Sequence, residues 1–171
     1  PAEDTPYASD GGPCSRHTYN YIQYVPAPVD RFCSFGAAGF YYSGQTGTNF
    51  VDAFNFDALT WEHQKFATST AVGFIGAFSA VDPVTGNVWE HGGGNGVLAK
   101  LNTVTNQWTA QQYIDGWFSN QITADIDPVR RLMVGVGGGA VWSWNIDASG
   151  SIAGVRRTAT GDNTAAGAGS P

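Results

Sequence analysis

The 171-residue sequence predicts an all-β protein built from repeated units of four antiparallel strands. Three observations predict it. Charged residues make up only 13% of the chain, about half the ~25% usual in soluble domains. Glycine is abundant at 23 residues, and there are six Trp, seven Tyr and ten Phe, a composition that suits strands and tight turns better than helices. No long stretch places apolar residues at i, i+3, i+4 and i+7, and short motifs recur about every 45 residues.

In chain order, each unit opens on a strand: YNYIQYV over Tyr19–Val25, FIGAFSAV over Phe74–Val81 and FSNQITADI over Phe118–Ile126. In the first, Tyr19, Tyr21, Gln23 and Val25 share one face and Asn20, Ile22 and Tyr24 the other. Both faces are nearly apolar, so burial on both is expected. A turn follows. Asp82-Pro83-Val84 recurs as Asp127-Pro128-Val129, with a weaker version at Pro28-Val29-Asp30. Proline sets the φ of a turn corner, and the Asp before it can bond the turn backbone. A short apolar segment comes next: Phe32–Phe35, Val88-Trp89 or Leu132–Val134. It runs into glycine at Gly36, at Gly92-Gly93-Gly94 or at Gly137-Gly138-Gly139, which marks a bend or a close backbone approach. Each unit ends on a third strand, a polar turn and a fourth strand. FNFDALTW (Phe54–Trp61) and LNTVTNQW (Leu101–Trp108) keep Asn55 and Asn102 in one place and the tryptophan in another. WNIDASGS (Trp144–Ser151) keeps Asn145 but ends on serine. A tryptophan that opens the last strand is expected to wedge between neighbouring units, where aromatic burial is most rewarding.

Four antiparallel strands in about 45 residues is the period of a propeller blade. The units fall at 17–66, 73–112 and 118–157, after an N-terminal extension of 1–16 and before a small, polar tail over 158–171. The double glycine, the polar turn and the tryptophan seven residues on resemble the kelch repeat and the galactose-oxidase-like propellers. Gly92, Gly93, Trp61 and Trp108 carry the likeness best, with Gly137 and Gly138. The first unit departs with Gly36-Ala37-Ala38-Gly39 and the third lacks its tryptophan. The resemblance implies a kelch-like propeller, or an arc of one. It does not carry over a copper site, because the Tyr-His ligand motif is absent. Propellers close with about four to eight blades. Three blades therefore leave three outcomes: a piece of a longer propeller, copies or a partner that complete the ring, or a small irregular propeller built with the 1–16 segment, with self-association or a partner favoured over the compact monomer.

Several function classes are disfavoured. Net charge is −6 and the only lysines are Lys65 and Lys100, so no basic stripe serves nucleic acid. No apolar run approaches the ~18 residues of a membrane helix. His17, His63 and His91 are not at metal-ligand spacing, no Gly-x-Ser-x-Gly elbow occurs, and Gly92–Gly96 lacks the lysine of a phosphate loop. No cofactor, metal or catalytic residue is expected. The chain opens on Pro1 rather than Met, which fits a processed or excised product. Cys14 and Cys33 are candidates for a disulfide in an oxidising compartment, the alternative being two buried thiols. Low charge and this possible bridge point to an extracellular or periplasmic setting.

In propellers, ligands gather where the loops between second and third strands meet the connectors between blades. The first such loop, Tyr42–Asn49, is longer than its counterparts and offers Tyr42, Gln45 and Asn49. Asn95 sits in the second, and the connector QYIDGW adds Tyr113, Asp115 and Trp117. Stacking aromatics with amide and carboxylate hydrogen-bonders suit a sugar or peptide ligand. The expected function is therefore a binding module for carbohydrate or protein. The alternatives are a propeller enzyme, oxidase-like or glycan-cleaving with Asp115 as the acid, and a structural unit that assembles through its blade faces.

Overall fold

The computed structural model describes residues 7–13, 16–17, 20–41, 44–66, 78–91, 97–112, 123–137, 140–150 and 152–157. Among them there are thirteen strands and no helix. The strands form three antiparallel sheets, each a run of consecutive strands. The first holds β1 (Arg16–His17), β2 (Ile22–Val25), β3 (Arg31–Tyr41), β4 (Gly44–Asn55) and β5 (Thr60–Phe66). The second holds β6 (Phe78–Val81), β7 (Val88–His91), β8 (Val97–Asn102) and β9 (Gln107–Gln112). The third holds β10 (Thr123–Asp127), β11 (Leu132–Gly137), β12 (Ala140–Asn145) and β13 (Gly154–Arg157). The all-β expectation holds, and the first sheet reaches back to Arg16. The sheets do not close into a ring among the described residues.

The recurring motifs are turn chemistry. The Asn55 side-chain oxygen accepts from the backbone N–H groups of Asp57 at 3.0 Å and Ala58 at 3.1 Å. Asn102 does the same for Val104 and Thr105, and Asn145 for Asp147. In the other recurring turn, Asp82 accepts from Val84 N–H at 3.0 Å, and Asp127 from Val129 and Arg130 at 2.9 Å. These side chains stand in for backbone acceptors and hold the chain reversal between strands.

The second sheet is the middle layer. Its paired row Val81, Val88, Leu101 and Trp108 packs with Tyr21, Val25, Cys33, Phe35, Val51, Ala53 and Phe66 of the first sheet. Phe78, Ala80, Trp89 and Leu98 pack instead with Ile126, Met133 and Trp144 of the third, together with Ile146 and Ile152. Trp108 thus lies between two sheets as its place in the repeat predicts. Trp61 occupies the matching position in the first sheet, but on the face turned away from the core. There it meets Phe54 at a ring separation of 5.3 Å, and Phe54 meets Phe56 at 5.5 Å.

Two expectations need correction. Burial of the first strand on both faces does not hold: Tyr21 and Val25 are fully buried, but Ile22 is 38% and Tyr24 52% exposed. The reason is that this sheet ends the stack, and a segment over residues 7–13 covers only part of its outward face, through Tyr7 against His63. The long loop of the first unit is not a loop. Its insertion extends β3 to 11 residues and β4 to 12, paired as far as Tyr41 opposite Gly44 after a bulge at Gly36. The Cys33 thiol is buried, and burial pushes it up to about 12. Cys14 itself lies outside the described residues.

The second and third sheets are also clamped by charge. The Arg131 guanidinium donates to both Asp82 oxygens at 2.7 Å and, through Nε, to Asp147 at 2.9 Å. Burial alone would raise the Asp82 carboxyl. The Arg131 fork, with the Thr85 hydroxyl and the Val84 N–H, outweighs it and brings the group down to about 2. A depressed carboxylate stabilises the fold above the ordinary aspartate value of about 3.9, and that contribution is lost as pH falls towards 2. Asp82 is 1% exposed. Arg131→Met would therefore leave a buried, unpaired carboxylate, at a cost of about 3 kcal/mol. Thermal denaturation at pH 7 should show a fall of about 6–12 °C. The gap between variant and wild type should narrow between about pH 4 and pH 2, because there the wild type loses its paired carboxylate as Asp82 protonates. An unchanged melting temperature would show that the clamp is incidental.

Candidate functional site

Strands β2, β6 and β10 converge, and the residue that joins them, just ahead of β2, is Asn20. It forms an isolated parallel bridge to Phe78. Its carbonyl accepts from Ser79 N–H at 2.9 Å and from the Ser79 hydroxyl at 2.8 Å. Its side-chain Nδ2 donates to the Ser79 carbonyl at 3.2 Å and to the Ala124 carbonyl at 3.0 Å. One side chain thus ties an edge of each sheet. Gln23, three residues on, donates to the Ser79 carbonyl at 2.8 Å and to the Asn20 carbonyl at 3.4 Å. Both amide orientations follow from chemistry, since each nitrogen faces only carbonyl oxygens.

Beside this junction opens a cavity of about 440 Å³. It is lined by Asn20, Ile22 and Gln23 from the first sheet and by Thr123, Ala124, Asp125, Val134 and Val136 from the third. The register explains this lining. Thr123 pairs with Val136 and Asp125 with Val134, so these four residues share one face of β10 and β11. Ala124 and Ile126 alternate to the opposite face, against the second sheet. Ile22 stands out from β2 because its neighbours Tyr21 and Gln23 turn inward. Asp125 Oδ1 accepts from the Ile126 N–H at 2.8 Å, which orients the carboxylate. The cavity therefore has apolar walls from Ile22, Val134 and Val136, and polar groups held on strands rather than loops.

Buried ionisable groups lie deeper, His91 and Glu90 on the middle sheet and Tyr21 against them from the first. His91 is pushed down to about 4 by burial and stacks on Phe78 at 4.7 Å. The Tyr21 hydroxyl donates to the His91 carbonyl at 3.3 Å. Burial, and the Glu90 carboxylate beside it, raise the Tyr21 phenol well above its ordinary value. His91 is neutral at pH 7 and packed as a core ring. Among the described residues, no group of three His, Cys, Asp or Glu could hold a metal ion. No helix among them is long and apolar enough to cross a membrane.

Of the residues singled out from the sequence, Tyr42, Asn95, Tyr113, Asp115 and Trp117 lie outside the described residues. Gln45 pairs with Phe40 in the long hairpin, and Asn49 lies on β4, so neither belongs to a loop. Sequence reasoning missed the cavity residues. Asn20, the one polar side chain on the outer face of an otherwise apolar strand, was the available signal.

No family model matches the chain, and no curated protein does. Among solved structures it resembles an auxiliary nutrient binding protein from Bacteroides ovatus ATCC 8483, with a TM-score of 0.58 and 11% sequence identity. The match covers 90% of this chain and 34% of that one, so the chain spans about a third of the neighbour's length. At this identity the likeness is one of fold.

Asn20→Ala would strip the Ala124 carbonyl of its side-chain donor and the Ser79 carbonyl of one of two, at a cost of about 2 kcal/mol. The melting temperature should fall by about 4–8 °C, and hydrogen exchange at the Ser79 amide should speed up. Asn20→Asp should be worse, because it sets a carboxylate against two carbonyl oxygens. Equal stability of both variants and wild type would remove Asn20 from its joining role.

Proposed function

We propose that the chain is a non-catalytic binding module, an arc of three kelch-like propeller blades, working in an extracellular or periplasmic setting. Its ligand, a carbohydrate or a protein, enters the cavity at the inner ends of the blades. The observation that carries this reading is the cavity beside the Asn20 junction. It is concave and partly apolar, with a few oriented polar groups, which is the make-up of a ligand site. The fold likeness to a nutrient binding protein supports a binding role. The chain also reaches β10, one wall of the cavity, from the connector that carries Tyr113, Asp115 and Trp117. Titration with a panel of saccharides and peptides, followed by amide NMR, tests the proposal. A ligand should shift Ile22, Gln23, Thr123, Ala124 and Asp125, and Ile22→Ala with Val136→Ala should weaken it by about tenfold through lost apolar contact. Shifts confined to another surface would move the site elsewhere.

A second reading, assembly, has its own observation. Tyr24, Phe32, Phe54 and Trp61 form one paired row across the first sheet. It occupies the same place in its sheet as the row Val81, Val88, Leu101 and Trp108 in the second, which is covered. Tyr24 and Phe56 are each about half exposed. Copies that meet through this face would cover it. Light scattering should then give a multiple of the chain mass, and Phe56→Asp should return the monomer. A monomeric wild type at high concentration would leave the binding reading alone.

A further inference from the structure

We propose that the cavity beside Asn20 selects a ligand bearing a primary ammonium group on a short aliphatic stem. The inference rests on the reading of this cavity as the binding site and names what it takes.

The reasoning starts from the hydrogens of the lining side chains. The Asn20 amide has two, and both are donated, to Ser79 and Ala124 carbonyls. The Gln23 amide also has two, and both are donated, to Ser79 and Asn20 carbonyls. These amides keep only their carbonyl oxygens for a ligand. Asp125 adds a carboxylate with one oxygen engaged by Ile126 N–H, and among the described residues of the lining it is the only charged one. Thr123 adds a hydroxyl that accepts as readily as it donates. Among the described residues, the lining side chains thus present acceptors and one negative charge, without a cationic or free amide donor to meet a carboxylate or phosphate. An anionic ligand would be repelled by Asp125. A neutral hydroxyl-rich ligand would leave its own acceptors poorly matched. An ammonium group has three donors and no acceptor. It suits two amide oxygens and a carboxylate, and charge assistance strengthens the bond to the carboxylate. The apolar part of the lining, Ile22, Val134 and Val136, fits a stem of a few methylenes. A free small amine and the end of a lysine side chain share this chemistry.

The test uses the whole chain at low ionic strength and follows backbone amides by NMR. The probes are n-butylammonium, its neutral near-isostere n-pentanol, Nα-acetyl-lysine methylamide and the same compound acetylated at Nε. Butylammonium should shift Thr123, Ala124 and Asp125 saturably. Pentanol and the Nε-acetyl compound should bind at least tenfold more weakly. Asp125→Asn keeps the cap on Ile126 and should lose at least tenfold for the ammonium alone. Binding of the lysine compound as well as butylammonium would assign the site to a projecting lysine, and binding of butylammonium alone to a free amine. Pentanol equal to butylammonium, an undiminished Asp125→Asn, or a neutral saccharide in the cavity without the amine would each overturn the ammonium preference and leave the site standing. If neither an amine nor any member of the saccharide and peptide panel shifts these amides, the site falls with the inference.

Discussion

The structure depends on how three exposed strand edges are brought together without leaving their polar groups unpaired. Each sheet begins on an edge strand, and an edge strand carries a row of free N–H and C=O groups. Where β2, β6 and β10 approach one another, regular pairing is impossible because the strands belong to different sheets. Asn20 resolves this. Its backbone carbonyl serves β6, and its two amide hydrogens serve β6 and β10 together. Aspartate in its place has no hydrogens to give, serine has one, and alanine has none. The short asparagine side chain also holds the three strands near enough for the two hydrophobic cores to fill on either side of the middle sheet.

The two cores share a plan. In the second sheet, Val81, Val88, Leu101 and Trp108 face the sheet before them. In the third, Ile126, Met133 and Trp144 do the same. In the first, the matching row is Tyr24, Phe32, Phe54 and Trp61, and no sheet precedes it among the described residues. The repeat in the sequence is therefore a repeat of contacts as well as of turns. Aromatic residues in the first row keep apolar surface where it would be buried by a neighbour, and Tyr24 carries a hydroxyl that bonds Asp30 meanwhile.

The sequence was most legible where physics is local. Asn55, Asn102 and Asn145 declare their turns because an Asx side chain reaches backbone two or three residues on. Asp82-Pro83 and Asp127-Pro128 do so for the same reason. The three sheets could be drawn because those turns punctuate them. The long hairpin of β3 and β4 misled, because Gly44, Gly47, Thr46 and Thr48 read as loop residues until a partner strand supplies their hydrogen bonds. The cavity and the clamp were out of reach. Arg131 meets Asp82 across 49 residues and Asn20 meets Ala124 across 104. Nothing in composition or period joins such pairs. Asp82 was visible only in its turn role, and its second partner depends on how two sheets stack.

The joint and the cavity are consequences of one arrangement. Asn20 and Gln23 direct their nitrogens to the strands because the edge carbonyls require donors, and so their oxygens are what remain for a ligand. A different solution to the edge problem, with a lysine or arginine at the junction, would have satisfied the same carbonyls and turned positive charge to the cavity instead. Because the lining groups sit on paired strands, they lose little freedom when a ligand arrives, and pre-ordering of this kind favours affinity without large contact area. The selectivity of the cavity follows from the hydrogen bonds that hold the sheets together.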